Sequence, residues 1–334
     1  MSSGSPRYVS VVVPCHNEAD TLDAFLTRVT PIFERLPRFS FEIVLIDDGS
    51  TDATEAVIAR LCAANPGVKG VSLSRNFGHQ RAITAGLDYC MGDYIIVIDA
   101  DLQDPPELIP DVLAKLEEGF DVVHTVRTDR SVDSFWKRKS AKLFYALMRR
   151  WVLPEIVEDA ADYKGFTRQA LEALRAYPER VRFLRGMFAT LGFRQSTVPF
   201  VRAARGAGQS KYSLRNMLRF ARDAIVSNTV LPLRLGFYFG VLLVAAAGAY
   251  GACVAGLFLA GGGMDQPLVH LVLSTIGALF GVVFILLGMM GEYLKCIILE
   301  VKARPLYVVR KTYNLPAGTG DRSRGPAVSA PPAK

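Results

Sequence analysis

Between Leu235 and Leu294 the chain carries no lysine or arginine, and its only acidic residues there are Asp265 and Glu292. Two apolar runs lie within this stretch, about 235–260 and 268–291, separated by GGGMDQP. Each exceeds the roughly 20 residues that span a bilayer as a helix. Core helices of soluble proteins can be apolar too, but two such runs without one basic residue suit lipid better than a protein interior. Arg215, Arg219, Arg222 and Arg234 precede the first run, and Lys295, Lys302, Arg304, Arg310 and Lys311 follow the second. Basic flanks stay on the cytoplasmic side, which predicts a transmembrane hairpin with its turn outside. The opening MSSGSPRYVS lacks an apolar segment, so no secretory signal is expected. Five cysteines (Cys15, Cys62, Cys90, Cys253, Cys296) at irregular spacings suggest a reducing compartment and no disulfide framework.

The first half of the chain follows another rule. YVSVVVP (8–14), FEIVLIDDGSTDAT (41–54), GVSLSRNFG (70–78) and DYIIVIDAD (93–101) each run from β-branched apolar residues into polar ones. Helix-length segments such as 19–35 and 53–64 separate them. Strand alternating with helix predicts a mostly parallel α/β sheet. In such sheets ligands bind at the carboxyl ends of the strands. Those ends carry Asn17 and Glu18, Asp47 and Asp48, Arg75 and Asn76, and Asp99 and Asp101.

The sharpest of these ends is YIIVIDADLQDPPELIP (94–110). The apolar residues bury the strand and deliver Asp99 and Asp101 to its tip, where i and i+2 side chains share one side. Two adjacent carboxylates repel unless a cation lies between them. A hard divalent ion, Mg²⁺ or Mn²⁺, suits such oxygens and is commonly shared with substrate phosphates. Gln103 can add an amide oxygen or hold a metal-bound water. Pro105 and Pro106 then end the strand and open a helix. Most such acidic pairs are solvated turns; the buried strand in front of this one argues for a site. A net charge of +7 suits phosphates or an anionic membrane and is too small to argue for nucleic acid.

Taken in order, VVVPCHNEAD, LIDDGSTDAT, SRNFGHQRAITAGLDYCMGDYIIVIDADLQDPPE and RFLRG, with VPFVRAARGAGQSKYSLRNML and GEYLKCIILEVKARPLYVV, resemble family 2 glycosyltransferases of the polyprenyl-phosphate type. The resemblance runs over about residues 8–310. It implies a GT-A fold, a nucleotide-sugar donor, Mg²⁺ or Mn²⁺, and inversion at the sugar anomeric carbon. It further implies that Pro14, His16, Glu18, Asp47 and Asp48 hold the nucleoside. Asp99, Asp101 and Gln103 would handle metal and diphosphate, and Arg127, Arg138, Ser140, Arg205 and Lys211 would surround the phosphates. His16 stands where tyrosine is common, Ser140 is offset from the usual hydroxyl, and the QxxRW motif of processive synthases is absent.

These readings define an expected organisation: a cytoplasmic catalytic domain over 1–211, an amphipathic interface helix over 212–233, two membrane helices over 234–293, and a segment over 294–334 ending in a disordered tail. The expected acceptor is a polyprenyl phosphate such as undecaprenyl phosphate. Its second pKa is about 6, so it needs no strong base. Asp101, Asp162 and Arg205 are the catalytic candidates. Asp162 can orient a sugar hydroxyl or the acceptor, or it can be an ordinary surface acid. His79 and His124 are read as structural or solvent-facing. The donor is taken as UDP-glucose; GDP-mannose and a UDP-linked amino sugar are the enzyme alternatives, and a scaffold subunit of a flippase is the non-enzyme one. The family resemblance also suggests a homo-tetramer in a bacterial inner membrane.

Overall fold

The computed structural model of the chain describes residues 6–127, 160–180, 182–200 and 267–315, with residue 157 and isolated positions between 236 and 249. Its centre is four parallel strands: β1 (Arg7–Cys15), β2 (Phe39–Asp47), β3 (Val68–Leu73) and β4 (Tyr94–Val97). They are apolar on both faces because helices cover both. On one face Val11, Val13, Ile43, Leu45 and Ile96 share a core with α1 (Leu22–Glu34), α2 (Thr54–Ala64) and α4 (Ile109–Glu117). On the other, Val12, Val44, Ile46, Ile95 and Val97 meet α3 (His79–Tyr89), α5 (Arg168–Arg175) and α6 (Leu184–Thr190).

Four further strands are β5 (Val122–Arg127), β6 (Ala160–Thr167), β7 (Gln195–Phe200) and β8 (Val309–Tyr313). They extend the sheet to eight, in the order β7-β5-β6-β4-β1-β2-β3-β8. β1 pairs in parallel with β2 on one side and with β4 on the other. The chain therefore builds outward from β1 to β3, then returns to start its second half at β4. That reversal opens a crevice at the carboxyl ends of β1 and β4, the place where such sheets bind ligands. The sheet is mostly parallel, as the alternation of elements predicts; β6 and β8 run antiparallel to their neighbours.

β8 follows the apolar region and still belongs to this sheet. Tyr307 donates to Asp88 Oδ2 at 2.7 Å, Tyr313 donates to Glu55 Oε1 at 3.2 Å, and Asn314 Nδ2 donates to the Val68 carbonyl at 2.9 Å. The chain divides into two units, one of Met1–Arg149, Leu153–Lys211 and Ala303–Lys334, the other of Arg150–Val152 and Tyr212–Lys302. Residues 303–315 thus complete the α/β sheet, where the sequence suggested a separate terminal segment from 294.

In the second unit, α7 (Pro267–Lys302) is one helix of 36 residues, roughly 54 Å long. Its backbone is described throughout but only part of its side chains. Among the described residues no helix is long and apolar enough to cross a membrane. The proposed interface helix 212–233, most of the first apolar run and the tail from Pro316 lie outside the described residues.

Candidate active site

The crevice between β1 and β4 is a cavity of about 250 Å³, lined by Pro14, Cys15, His16, Glu18, Asp48, Asn76, Gly78, His79, Ala82, Asp99, Ala100 and Asp101. Three loops at one sheet edge build it, and the chain laces them together. Asn17, in the left-handed region at φ 57°, donates its N–H to Ser50 Oγ at 3.0 Å, and its Oδ1 accepts from the Thr51 N–H at 2.9 Å. His16 Nδ1 lies 3.1 Å from the Asp48 carbonyl, and its Nε2 lies 3.1 Å from Asn76 Nδ2. A carbonyl only accepts, so these partners place the proton on Nδ1 and leave Nε2 to accept from the amide. The ring is thereby fixed as part of the cavity wall.

The two aspartates of β2 have separate roles. Asp47 is fully buried; it accepts from Ser72 Oγ and the Ser50 N–H, each at 2.9 Å, and does not line the cavity. Asp48 lines it, but its two carboxylate oxygens accept from the backbone N–H groups of Phe77 (2.7 Å) and Gly78 (2.9 Å). The pair expected to hold a nucleoside therefore shapes the loops around it. Gly78 sits at φ 99°, a conformation that favours glycine, and α3 starts at the next residue, His79.

At the end of β4, Asp101 Oδ1 accepts from the Gln103 N–H at 3.0 Å. Gln103 itself is not among the lining residues. Asp104 turns inward, nearly fully buried, with Arg127 Nη2 3.7 Å from its Oδ1. Arg127 was expected at the phosphates; here it stands beside this carboxylate. Asp99 is pushed up to about 6 by burial, with Asp162, Asp101 and Asp104 raising it further and His79 opposing. Its Oδ1 is buried without a hydrogen-bond partner.

Asp162 comes from β6, on the far side of β4, and joins this group through His79. His79 Nε2 lies 3.5 Å from Asp99 Oδ1 and 3.7 Å from Asp162 Oδ2. His79 is exposed, as its solvent-facing reading expected, and it also stands beside both carboxylates. Burial alone would raise Asp162, but Arg185 and Lys164 outweigh it and hold its carboxyl well below the usual range; Arg185 Nε donates to Oδ1 at 2.9 Å. Behind it, burial pushes Lys164 down to about 8, against the pull of Asp162. His124 lies further in, hydrogen-bonded to Gln195 at 2.9 Å and pushed down by burial to about 4.

Among the described residues no group of three or more His, Cys, Asp or Glu could hold a metal ion by itself. Two carboxylates completed by substrate phosphates and water are enough for Mg²⁺-type binding. Asp99 and Asp101 fit that demand, since Asp99 presents an unpartnered buried oxygen among other carboxylates. Arg138, Ser140, Arg205 and Lys211 lie outside the described residues. His79 and Arg185 are the site residues that the sequence left without a functional role, whereas Asn76 was expected at the cleft edge, where it lies. The position of NFGH directly after β3, at the same sheet edge as Asp99, was the available signal.

A mostly parallel sheet with an acidic cleft at its reversal point is a GT-A-like α/β fold. The model of the Glycosyl transferase family 2 matches residues 10–175, and the chain belongs to that family. It is 38% identical over 307 residues to an uncharacterized glycosyltransferase of Synechocystis, covering 92% of this chain and 96% of that protein. It is likewise 38% identical over 305 residues to the SfII prophage-derived bactoprenol glucosyl transferase of Shigella flexneri, covering 91% and 98%. Among solved structures, mannosyl-3-phosphoglycerate synthase from Rubrobacter xylanophilus aligns with a TM-score of 0.47 at 23% identity, over 69% of this chain and 74% of that one. The protein is a glycosyltransferase.

Proposed function

We propose that the chain transfers glucose, with inversion, from UDP-glucose to the phosphate of a polyprenyl phosphate such as undecaprenyl phosphate. The observation that carries this is its likeness, over nine-tenths of its length, to bactoprenol glucosyl transferases. The cleft chemistry agrees. An acceptor phosphate oxygen attacks the sugar C1, the bond from C1 to the donor diphosphate breaks, and the nucleoside diphosphate leaves with the electron pair. The acceptor is largely a dianion at neutral pH, so no protein base has to remove a proton. That suits Asp162, whose carboxylate is ionised and gripped by Arg185. Asp99 and Asp101 would hold the divalent ion, which when bound neutralises charge building on the leaving diphosphate.

The reaction belongs at a membrane in this reading. The sequence of α7 is apolar from 268 to 291 and meets no basic residue until Lys295. Many of its described apolar side chains are exposed, Phe280 by 61% and Ile285 by 66%. β7 precedes the apolar region and β8 follows it, and both lie in one sheet. A chain that leaves and rejoins one sheet crosses a bilayer an even number of times, which supports a two-helix hairpin, and the basic residues flanking the apolar runs put the catalytic unit on the cytoplasmic side. The test uses full-length protein in detergent with undecaprenyl phosphate, a divalent metal and a panel of labelled nucleotide sugars. Lipid-linked glucose from UDP-glucose is the expected product. Transfer from GDP-mannose alone would replace the sugar and the base, and no transfer from any donor would overturn the reaction.

A further inference from the structure

We propose that His79 contacts the donor sugar: together with Asp162 it receives one sugar hydroxyl and so helps to determine which sugar is transferred. This rests on the glycosyl-transfer reading above. His79 Nε2 stands 3.5 Å from Asp99 Oδ1 and 3.7 Å from Asp162 Oδ2. Both distances exceed those of an N–H···O hydrogen bond. The imidazole is therefore placed between two carboxylates without being bonded to either. The gap suits a group that donates and accepts at once, and a hydroxyl is such a group. It would donate to Asp162 Oδ2 and accept from the imidazole N–H.

The surroundings are built to keep that gap. Asp162 Oδ1 is already occupied by Arg185 Nε at 2.9 Å, which leaves Oδ2 for another partner. His79 is held at the first position of α3 because Asp48 pins the two preceding backbone N–H groups, at 2.7 and 2.9 Å. The order of groups along the cleft also matches the donor. Asp99 and Asp101 are the diphosphate end in this reading, the sugar follows the diphosphate, and His79 lines the same cavity 3.5 Å from Asp99 Oδ1, with Asp162 Oδ2 behind it at 3.7 Å.

A thermodynamic cycle on intact protein tests this. Wild type and His79→Ala are each assayed for kcat/KM with UDP-glucose and with its 2-, 3-, 4- and 6-deoxy analogues. In wild type, one analogue should lose about tenfold or more, the usual effect of leaving a polar site unpaired. In His79→Ala the penalty for that same analogue should shrink several-fold relative to wild type, because one of the hydroxyl's two partners is gone while Asp162 remains. UDP affinity and melting temperature of His79→Ala and His79→Asn should match wild type. Losses that simply multiply, or a UDP affinity that falls as far as kcat/KM, would overturn the sugar contact while leaving the transferase reading intact. Absence of wild-type transfer from UDP-glucose would instead sink the reaction assigned above and this inference with it.

Discussion

The two ends of the same parallel strands treat buried carboxylates in opposite ways. At the amino end, Glu42 is fully buried and completely served. It accepts from the Met91 N–H at 2.7 Å and Tyr8 OH at 3.3 Å, and it binds Ser10 Oγ and the Lys69 ammonium directly. At the carboxyl end, Asp99 has a buried oxygen with no hydrogen-bond partner, three carboxylates as neighbours and only His79 opposing them, at 3.5 Å. Glu42 is fully buried and the Asp99 side chain is 30% exposed, yet both have buried oxygens, so burial alone does not mark the functional edge. What differs is whether the protein completes the carboxylate's interactions. A fully satisfied charge network holds structure, whereas an unsatisfied one leaves a place for a ligand to supply what is missing.

Removing a carboxylate from each end should therefore have opposite consequences. Glu42→Ala leaves the Lys69 ammonium, only 11% exposed, without its partner. The expected cost is about 3–5 kcal/mol of stability by denaturant unfolding, with turnover per folded molecule unchanged. A loss of turnover in the folded fraction would erase the distinction between the two ends. Asp101→Asn should do the reverse. Transfer should fall by about 100-fold or more with donor and lipid saturating, while the melting temperature holds or rises as repulsion with Asp99 is relieved. Wild-type rates for this variant in excess chelator would remove the metal from the cleft.

The smallest effect is the most direct view of the unsatisfied edge. Asp99 is raised to about 6, above the unfolded carboxylate value of about 3.9. Between those values the native state binds this proton better than the unfolded chain, so through Asp99 the metal-free protein loses stability as pH rises from about 4 to about 6. Asp162, held low, contributes fully above about 4 and loses its share below it, and His124, lowered from 6.5 to about 4, loses its share as pH falls from about 6.5 to about 4. Comparing wild type with Asp99→Asn removes those two contributions. The wild-type melting temperature should decline relative to the variant from pH 4 to pH 6, and Mg²⁺ or Mn²⁺ should restore it above pH 6. A pH-independent difference would show that Asp99 is not strained by its neighbours.

Much of this edge is legible in residue order because both signals are local. A β-branched run such as Ile95–Ile98 must be buried, and the aspartates that end it must then emerge at the strand's tip. Glu42 gives no such signal. It sits in FEIVLID like any half-exposed strand glutamate, and only the pairing of β1 with β2 and β3 brings Ser10 and Lys69 to it. Asp47 and Asp48 show the same limit: adjacent residues on an extended chain face opposite sides, and neighbouring loops decide what each one meets.

The sequence by itself determined the central strands, the cleft edge, the acidic pair Asp99 and Asp101, the family and the long apolar region, since each depends on residues close together in the chain. Only the tertiary structure decided that β8 returns to the sheet, that Arg127 stands beside Asp104, and that His79 lies between Asp99 and Asp162. Those are meetings of residues tens to hundreds of positions apart. Their partners are chosen by strand order and helix packing, which no local pattern of apolar and polar residues encodes.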